Sequence, residues 1–179
     1  MILEGLISTL NADGTPHVAP MGPRVDGPTF DRFLLRPFPT SHTYRNLARR
    51  PEGVLHVTDD VLLIAKASVG KLIDFPPHRA AEQVRGVVLT DACRYFEFRV
   101  ERLDDSEERV RLDAVVVHSG NPREFFGFNR AKHAVLEAAP SLRSQGYARA
   151  RIDARIAAIT PEVLELRRQG IRDPDVERR

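Results

Sequence analysis

Short apolar segments separated by turn-forming pairs dominate the first part of the chain, EGLISTLNADGTPHVAPMGPRVDGPTFDRFLLRP. Asp13-Gly14 and Asp26-Gly27 are hairpin signals, because glycine adopts the positive φ that tight turns between strands require. Segments 3–10, 16–21 and 29–35 are long enough for strands and too short for amphipathic helices. Such a pattern predicts an antiparallel meander in which 16–21 pairs with 29–35. GVLHVTD, RYFEFRVERL and RVRLDAVVVHSG supply three further strands. In RYFEFRVERL, Tyr95, Glu97, Arg99 and Glu101 alternate with Phe96, Phe98 and Val100, the period of a strand with one wet face.

Two short helices interrupt the strands. The first spans 41–50, ends at Pro51, and carries Arg49 and Arg50 at its negative end. The second, VLLIAKAS, has Asp59 or Asp60 to cap it and Gly70 to close it. KLIDFPPHRAAEQVRG is Pro-bearing and reads as a loop folded over something. Six mostly antiparallel strands with only short helices between them predict a mainly β fold with some α, closed into a barrel over residues 1–121.

From Pro122 onward the pattern turns helical. Phe128, Lys132, Val135, Leu136 and Ala139 share one face before Pro140, and Ile152, Ile156, Ile159, Val163 and Leu166 keep a helical spacing. Across 147–159, Ala148, Ala150, Ile152, Ala154 and Ile156 also alternate as a strand does, although alanine is a poor strand former. Residues 122–179 are therefore expected to form a helical C-terminal region.

Composition narrows the function classes. The pI is about 9.0, yet the formal net charge is only +2 and the arginines are interspersed with acids, as in RVERLDDSEERVRL. That is a solvated surface rather than a basic stripe, so nucleic acid is not the expected partner. No apolar run reaches the roughly 20 residues needed to span a bilayer, and MILEGLISTLNADG lacks a signal-peptide pattern, so the expectation is cytoplasmic. A single Cys93 excludes an intrachain disulfide, and the six histidines form no close ligand set, so no metal site is expected. No Ser-His-Asp or Cys-His arrangement can be assembled by motif. His118, at the end of the last long strand, is a candidate substrate-facing group, with a purely structural place as the alternative.

The densest chemistry lies in RPFPTSHTYRNLARRP, residues 36–51. Arg36 ends a strand, Thr40 and Ser41 precede the helix, Thr43 lies in its first turn and Asn46 in the next. A guanidinium fork, hydroxyls and the free N–H groups of a helix start are what a phosphate needs. The competing reading is structural: Ser41 or Thr40 is an ordinary N-cap and Arg36 a surface residue. Upstream, Pro20, Gly22 and Pro23 break the regular ladder of a strand, so that a flat ring can approach the main chain of Met21 and Gly22.

With these residues in view the chain resembles the FMN-binding split β-barrel proteins, the superfamily of flavin reductases and pyridoxamine-phosphate oxidases. It is most similar to an uncharacterised family within it, a domain of unknown function. EGLISTLNADGTPHVAPMG, RPF…TSHTYRNL and FNRAKHAVLEA carry the resemblance, which covers residues 1–139 and fades after Pro140. It implies a homodimer with an FMN in each groove near the subunit boundary. Carried over by position, Arg36, Thr40, Ser41 and Thr43 hold the phosphate with Asn46 in support, and Met21 and Gly22 face the isoalloxazine. Asn129, Arg130 and His133 lie near the flavin or the partner, and 122–179 packs on the barrel or the other subunit. Arg24 or Arg130 is the positive group for the ring's reducible edge.

Three functions follow as expectations. The first is an FMN-dependent oxidoreductase, of flavin reductase type, with a nicotinamide or other small donor. The second is a non-catalytic flavin carrier or sensor, and the third a basic interaction module without flavin.

Overall fold

Strand β1 (Gly5–Leu10) turns back into β2 (Pro16–Met21) through Asn11–Thr15 contacts in which Gly14 takes φ +85°. The Asn11 N–H donates to the Thr15 carbonyl at 2.8 Å, and the Asp13 carboxylate accepts from the Thr15 N–H at 2.9 Å. The Asp-Gly pair therefore makes the hairpin its sequence predicts. The computed structural model describes residues 1–25, 29–70, 72, 74–125, 127 and 132. The second expected turn, Asp26-Gly27, lies outside them, as do the expected helices after Phe128. Met1–Gly127 forms one compact unit.

After β3 (Arg32–Leu35), helix α1 (His42–Arg49) starts at Ser41, whose Oγ accepts from the Tyr44 N–H. Ser41 rather than Thr40 is thus the cap. Next come β4 (Glu52–Val57) and α2 (Val61–Ser68), capped by Asp60, which accepts from the Leu63 N–H at 3.0 Å. A short hairpin follows, β5 (His78–Ala80) with β6 (Val87–Leu89), then the long strands β7 (Arg94–Asp104) and β8 (Arg111–Gly120). The hairpin replaces the loop read from the sequence, because its strands of three residues are too short to show a period.

Six strands form one antiparallel sheet in the order β2-β1-β4-β7-β8-β3. This corrects two expectations. β2 does not pair with β3; β3 pairs with β8, Leu35 opposite Leu112. The sheet also stays open rather than closing as a barrel. Among the described residues, Arg24 bridges to Ile2 on one side and exchanges two 2.9 Å hydrogen bonds with Leu34 on the other.

The concave core gathers Ile7, Leu35, Leu47, Leu55, Phe96, Phe98 and Leu112, all essentially inaccessible to solvent. Phe33 meets Phe98 edge to face with centroids 5.2 Å apart. Alternate residues Val54 and Tyr95 point the other way, into a smaller cluster with Val84 and Val88 under the β5–β6 hairpin. The alternation along β7 is as expected, but its supposed wet face is buried at Tyr95 and Glu97 and exposed only at Arg99 and Glu101.

Polar bonds fasten this hairpin to the sheet. The fully buried Glu97 carboxylate accepts from the N–H groups of Glu82, Gln83 and Val84 at 2.6–3.1 Å. His56, also fully buried, accepts from the Leu89 N–H at Nε2 (3.0 Å) and reaches the Leu6 carbonyl with Nδ1 (3.3 Å). That pattern places the proton on Nδ1 of a neutral ring. Ser8 donates to the Val87 carbonyl at 2.6 Å.

Two predictions follow from the hairpin's attachments. Glu97→Gln has one acceptor oxygen for three N–H donors, that of Val84 buried, and is expected to lose about 2 kcal/mol of stability. Urea unfolding checks this as a lower midpoint with an unchanged slope. Burial holds the His56 pKa down to about 4 against 6.5 in a free side chain. The unfolded chain therefore takes the proton first as pH falls, so stability drops from about pH 6.5 to pH 4, by as much as ~3 kcal/mol. His56→Gln keeps a donor and an acceptor but does not titrate, and its stability between pH 7 and 4.5 is expected to fall less by about 2 kcal/mol.

Candidate functional site

The unusual strand order builds the site. Because β3 lies beside β8, the turn joining β7 to β8 runs against the segment that follows β3, and the Val110 N–H donates to the Pro37 carbonyl at 3.1 Å. Because Arg24 bridges Leu34, the end of β2 and residues 1–3 arrive at the same place. The result is a cavity of about 290 Å³ lined by Ile2, Met21, Gly22, Arg24, Arg36 and Arg109. Three arginines line it, each from a separate part of the chain.

Arg36 is central. Its side chain is 26% exposed, and Nη2 bonds the Glu107 carboxylate at 2.7 Å. Its Nε is buried without a hydrogen-bond partner among the described residues. A buried charged donor left unpaired costs on the order of 1–3 kcal/mol, more than a neutral one, so this atom marks a place for an acceptor. Arg109 is held over the Phe38 ring, its guanidinium carbon 4.2 Å from the centroid. The lining side chains include no group that exchanges protons near neutrality, since arginine stays charged. Its three arginines give such a cavity a charge suited to an anion.

The expected cofactor-binding residues divide. Arg36, Met21 and Gly22 line the cavity together. At Gly22 a Cβ would lie 3.0 Å from the exposed Ile2 side chain, which would have to give by a few tenths of an ångström. Ser41 uses its hydroxyl as the cap of α1, while Thr40 is exposed and Thr43 buried. Asn46 is buried and donates to Thr9 Oγ1 and Asn11 Oδ1, both at 3.0 Å, which ties α1 to β1. Asn129, Arg130 and His133 lie outside the described residues.

Sequence reasoning missed Arg109, which reads as one more charge in a solvated turn. Only the pairing of β3 with β8 brings it to Arg36. Arg24, one of the two candidates for the positive group near a flavin ring, shares the Arg36 cavity. His118 is elsewhere: its Nε2 lies 3.2 Å from the Tyr95 hydroxyl and 3.4 Å from Glu82, in a cluster that Arg79 completes.

A second cavity, about 350 Å³, opens beside α2 and is lined by Leu62, Leu63, Leu72 and Leu89 with Asp60, Asp74 and Asp91. Lys66 is the one cation among its lining residues, so its field disfavours a phosphate. Among the described residues no group of acids, histidines and cysteines could hold a metal ion, and no helix is long and apolar enough to cross a membrane.

The fold has clear relatives. The chain resembles an FMN-bound protein from Methanosarcina mazei that carries the DUF447 family label, with 22% identity over 90% of this chain and 86% of that one, at a TM-score of 0.68. The flavin reductase of styrene monooxygenase from Pseudomonas putida S12 is 16% identical over 67% of this chain and 81% of its own, with a TM-score of 0.56. An NADH:FAD oxidoreductase from Streptomyces globisporus is 12% identical over 70% and 80%, also at 0.56. At these identities the likeness establishes a common flavin reductase-like fold. No curated protein matches the sequence. The family described as protein of unknown function (DUF447), N-terminal domain, matches residues 3–122, and the chain belongs to that family.

Proposed function

We propose that this protein binds FMN, with the phosphate in the Arg24–Arg36–Arg109 cavity, and acts as a flavin-dependent oxidoreductase. The observation that carries the reading is the buried, unpartnered Nε of Arg36 in a cavity shared with two further guanidiniums. Family membership shared with an FMN-bound protein of the same fold supports it. When bound, FMN supplies the hydride and electron chemistry, while the protein supplies binding, orientation and electrostatics.

The residues have separable roles. Arg36 anchors the phosphate through its fork, and its free Nε adds a further donor. Arg109, steadied on Phe38, and Arg24 add positive charge at the same end. β2 is an edge strand, so the main-chain groups on its outer side, around Met21 and Gly22, have no strand partner among the described residues. These groups are suited to meet the polar edge of a flat ring system. The same reading takes the protein to be a homodimer with the flavin near the subunit boundary, which light scattering of the flavin-loaded protein decides.

Arg36→Ala is expected to weaken FMN binding by about 1.5–3 kcal/mol, roughly 10- to 150-fold, in a fluorescence-quenching titration. Unchanged affinity would remove Arg36 from the site. A catalytic role further requires that an electron donor such as NADH or NADPH bleach the yellow protein anaerobically. A bound flavin that no donor reduces would leave a carrier or sensor.

A further inference from the structure

One carboxylate bonds the guanidinium of Arg36. Glu107 lies on the β7–β8 turn with its side chain 63% exposed, and its Oε2 sits 2.7 Å from Arg36 Nη2. The turn does not depend on this contact for its shape. Asp104 closes it internally by accepting from the N–H and hydroxyl of Ser106, at 3.1 and 2.6 Å. The Tyr44 hydroxyl donates to Asp105 at 3.1 Å, and the Val110 N–H to Pro37 at 3.1 Å. Glu107 is therefore free to swing into solvent while the turn remains anchored on both sides.

We propose that Glu107 is an internal competitor for the phosphate subsite, which it occupies at Arg36 until a phosphate monoester displaces it. The inference rests on the phosphate-cavity reading above and adds what governs affinity and selectivity there. A tethered carboxylate competes at an effective concentration that a free monoanion does not match. A free carboxylate therefore gains little by exchange, because it offers Arg36 the same single negative charge that Glu107 already presents. A phosphate monoester carries up to two negative charges near neutrality and three acceptor oxygens. It can satisfy Arg36, including the unpartnered Nε, and still meet Arg24 or Arg109. The exchange thus selects a terminal phosphate over carboxylates, and a phosphorylated flavin over riboflavin.

The Arg36–Glu107 pair is largely exposed at the carboxylate end, where ion pairs contribute little, so its removal should not unfold the protein. The test uses the full-length protein, Glu107→Gln and Glu107→Ala, and inorganic phosphate as probe, with thermal denaturation as the readout. Phosphate is expected to raise the melting temperature of both variants more than that of the parent protein, corresponding to affinity about three- to tenfold higher. Acetate at equal ionic strength is expected to move none of the three. FMN titration should show the same gain in both variants, with riboflavin affinity unchanged. An equal or smaller response to phosphate in both variants would overturn the proposal and make Glu107 a ligand-side or indifferent residue. If phosphate behaves as expected while neither FMN nor riboflavin binds, the competitor stands and the flavin assignment falls.

Discussion

Like charges do not gather without an opposing one, and this molecule brings the guanidiniums of Arg24, Arg36 and Arg109 to one cavity. Their mutual repulsion is tolerable because water screens part of it and because Glu107 neutralises one of them. The arrangement is stable without ligand and unfinished electrostatically, which is the condition for binding an anion. The position of these residues is set by main-chain pairing more than by side-chain contacts. Arg24 sits where it does because its backbone exchanges two hydrogen bonds with Leu34, and Arg109 because β8 is the neighbour of β3.

Behind that cavity the sheet is held from both faces. Phe96 and Phe98 fill the concave core, while Tyr95 and Glu97, between and before them in sequence, face the β5–β6 hairpin. A buried carboxylate with three N–H donors and a buried neutral histidine between two main-chain groups are costly to break, since each leaves orphaned partners in a dry interior. They give a rigid wall on which the more open edge strands β2 and β3 can be placed.

Much of this was legible in the residues. Asp13-Gly14 marked the first hairpin, Ser41 and Pro51 bracketed α1, Asp60 and Gly70 bracketed α2, and the alternation in β7 was correctly periodic. What stayed hidden was non-local. A four-residue strand such as β3 carries no signal for its partner, and chain order suggested β2 where packing chose β8. Asn46 looked like a donor available to a ligand, yet a buried amide serving Thr9 and Asn11 has the same appearance in sequence. Glu97 and Arg109 both read as surface charge, one because the hairpin covering it was too short to recognise, the other because its neighbour arrives from far along the chain.

The account stands on a phosphate being gripped at Arg36. A crystal structure of the protein grown with FMN tests this most directly. The phosphate oxygens are expected within hydrogen-bonding distance of the Arg36 guanidinium, with the Glu107 carboxylate turned out to solvent. An intact Arg36–Glu107 pair, with the flavin phosphate bound elsewhere, would contradict it.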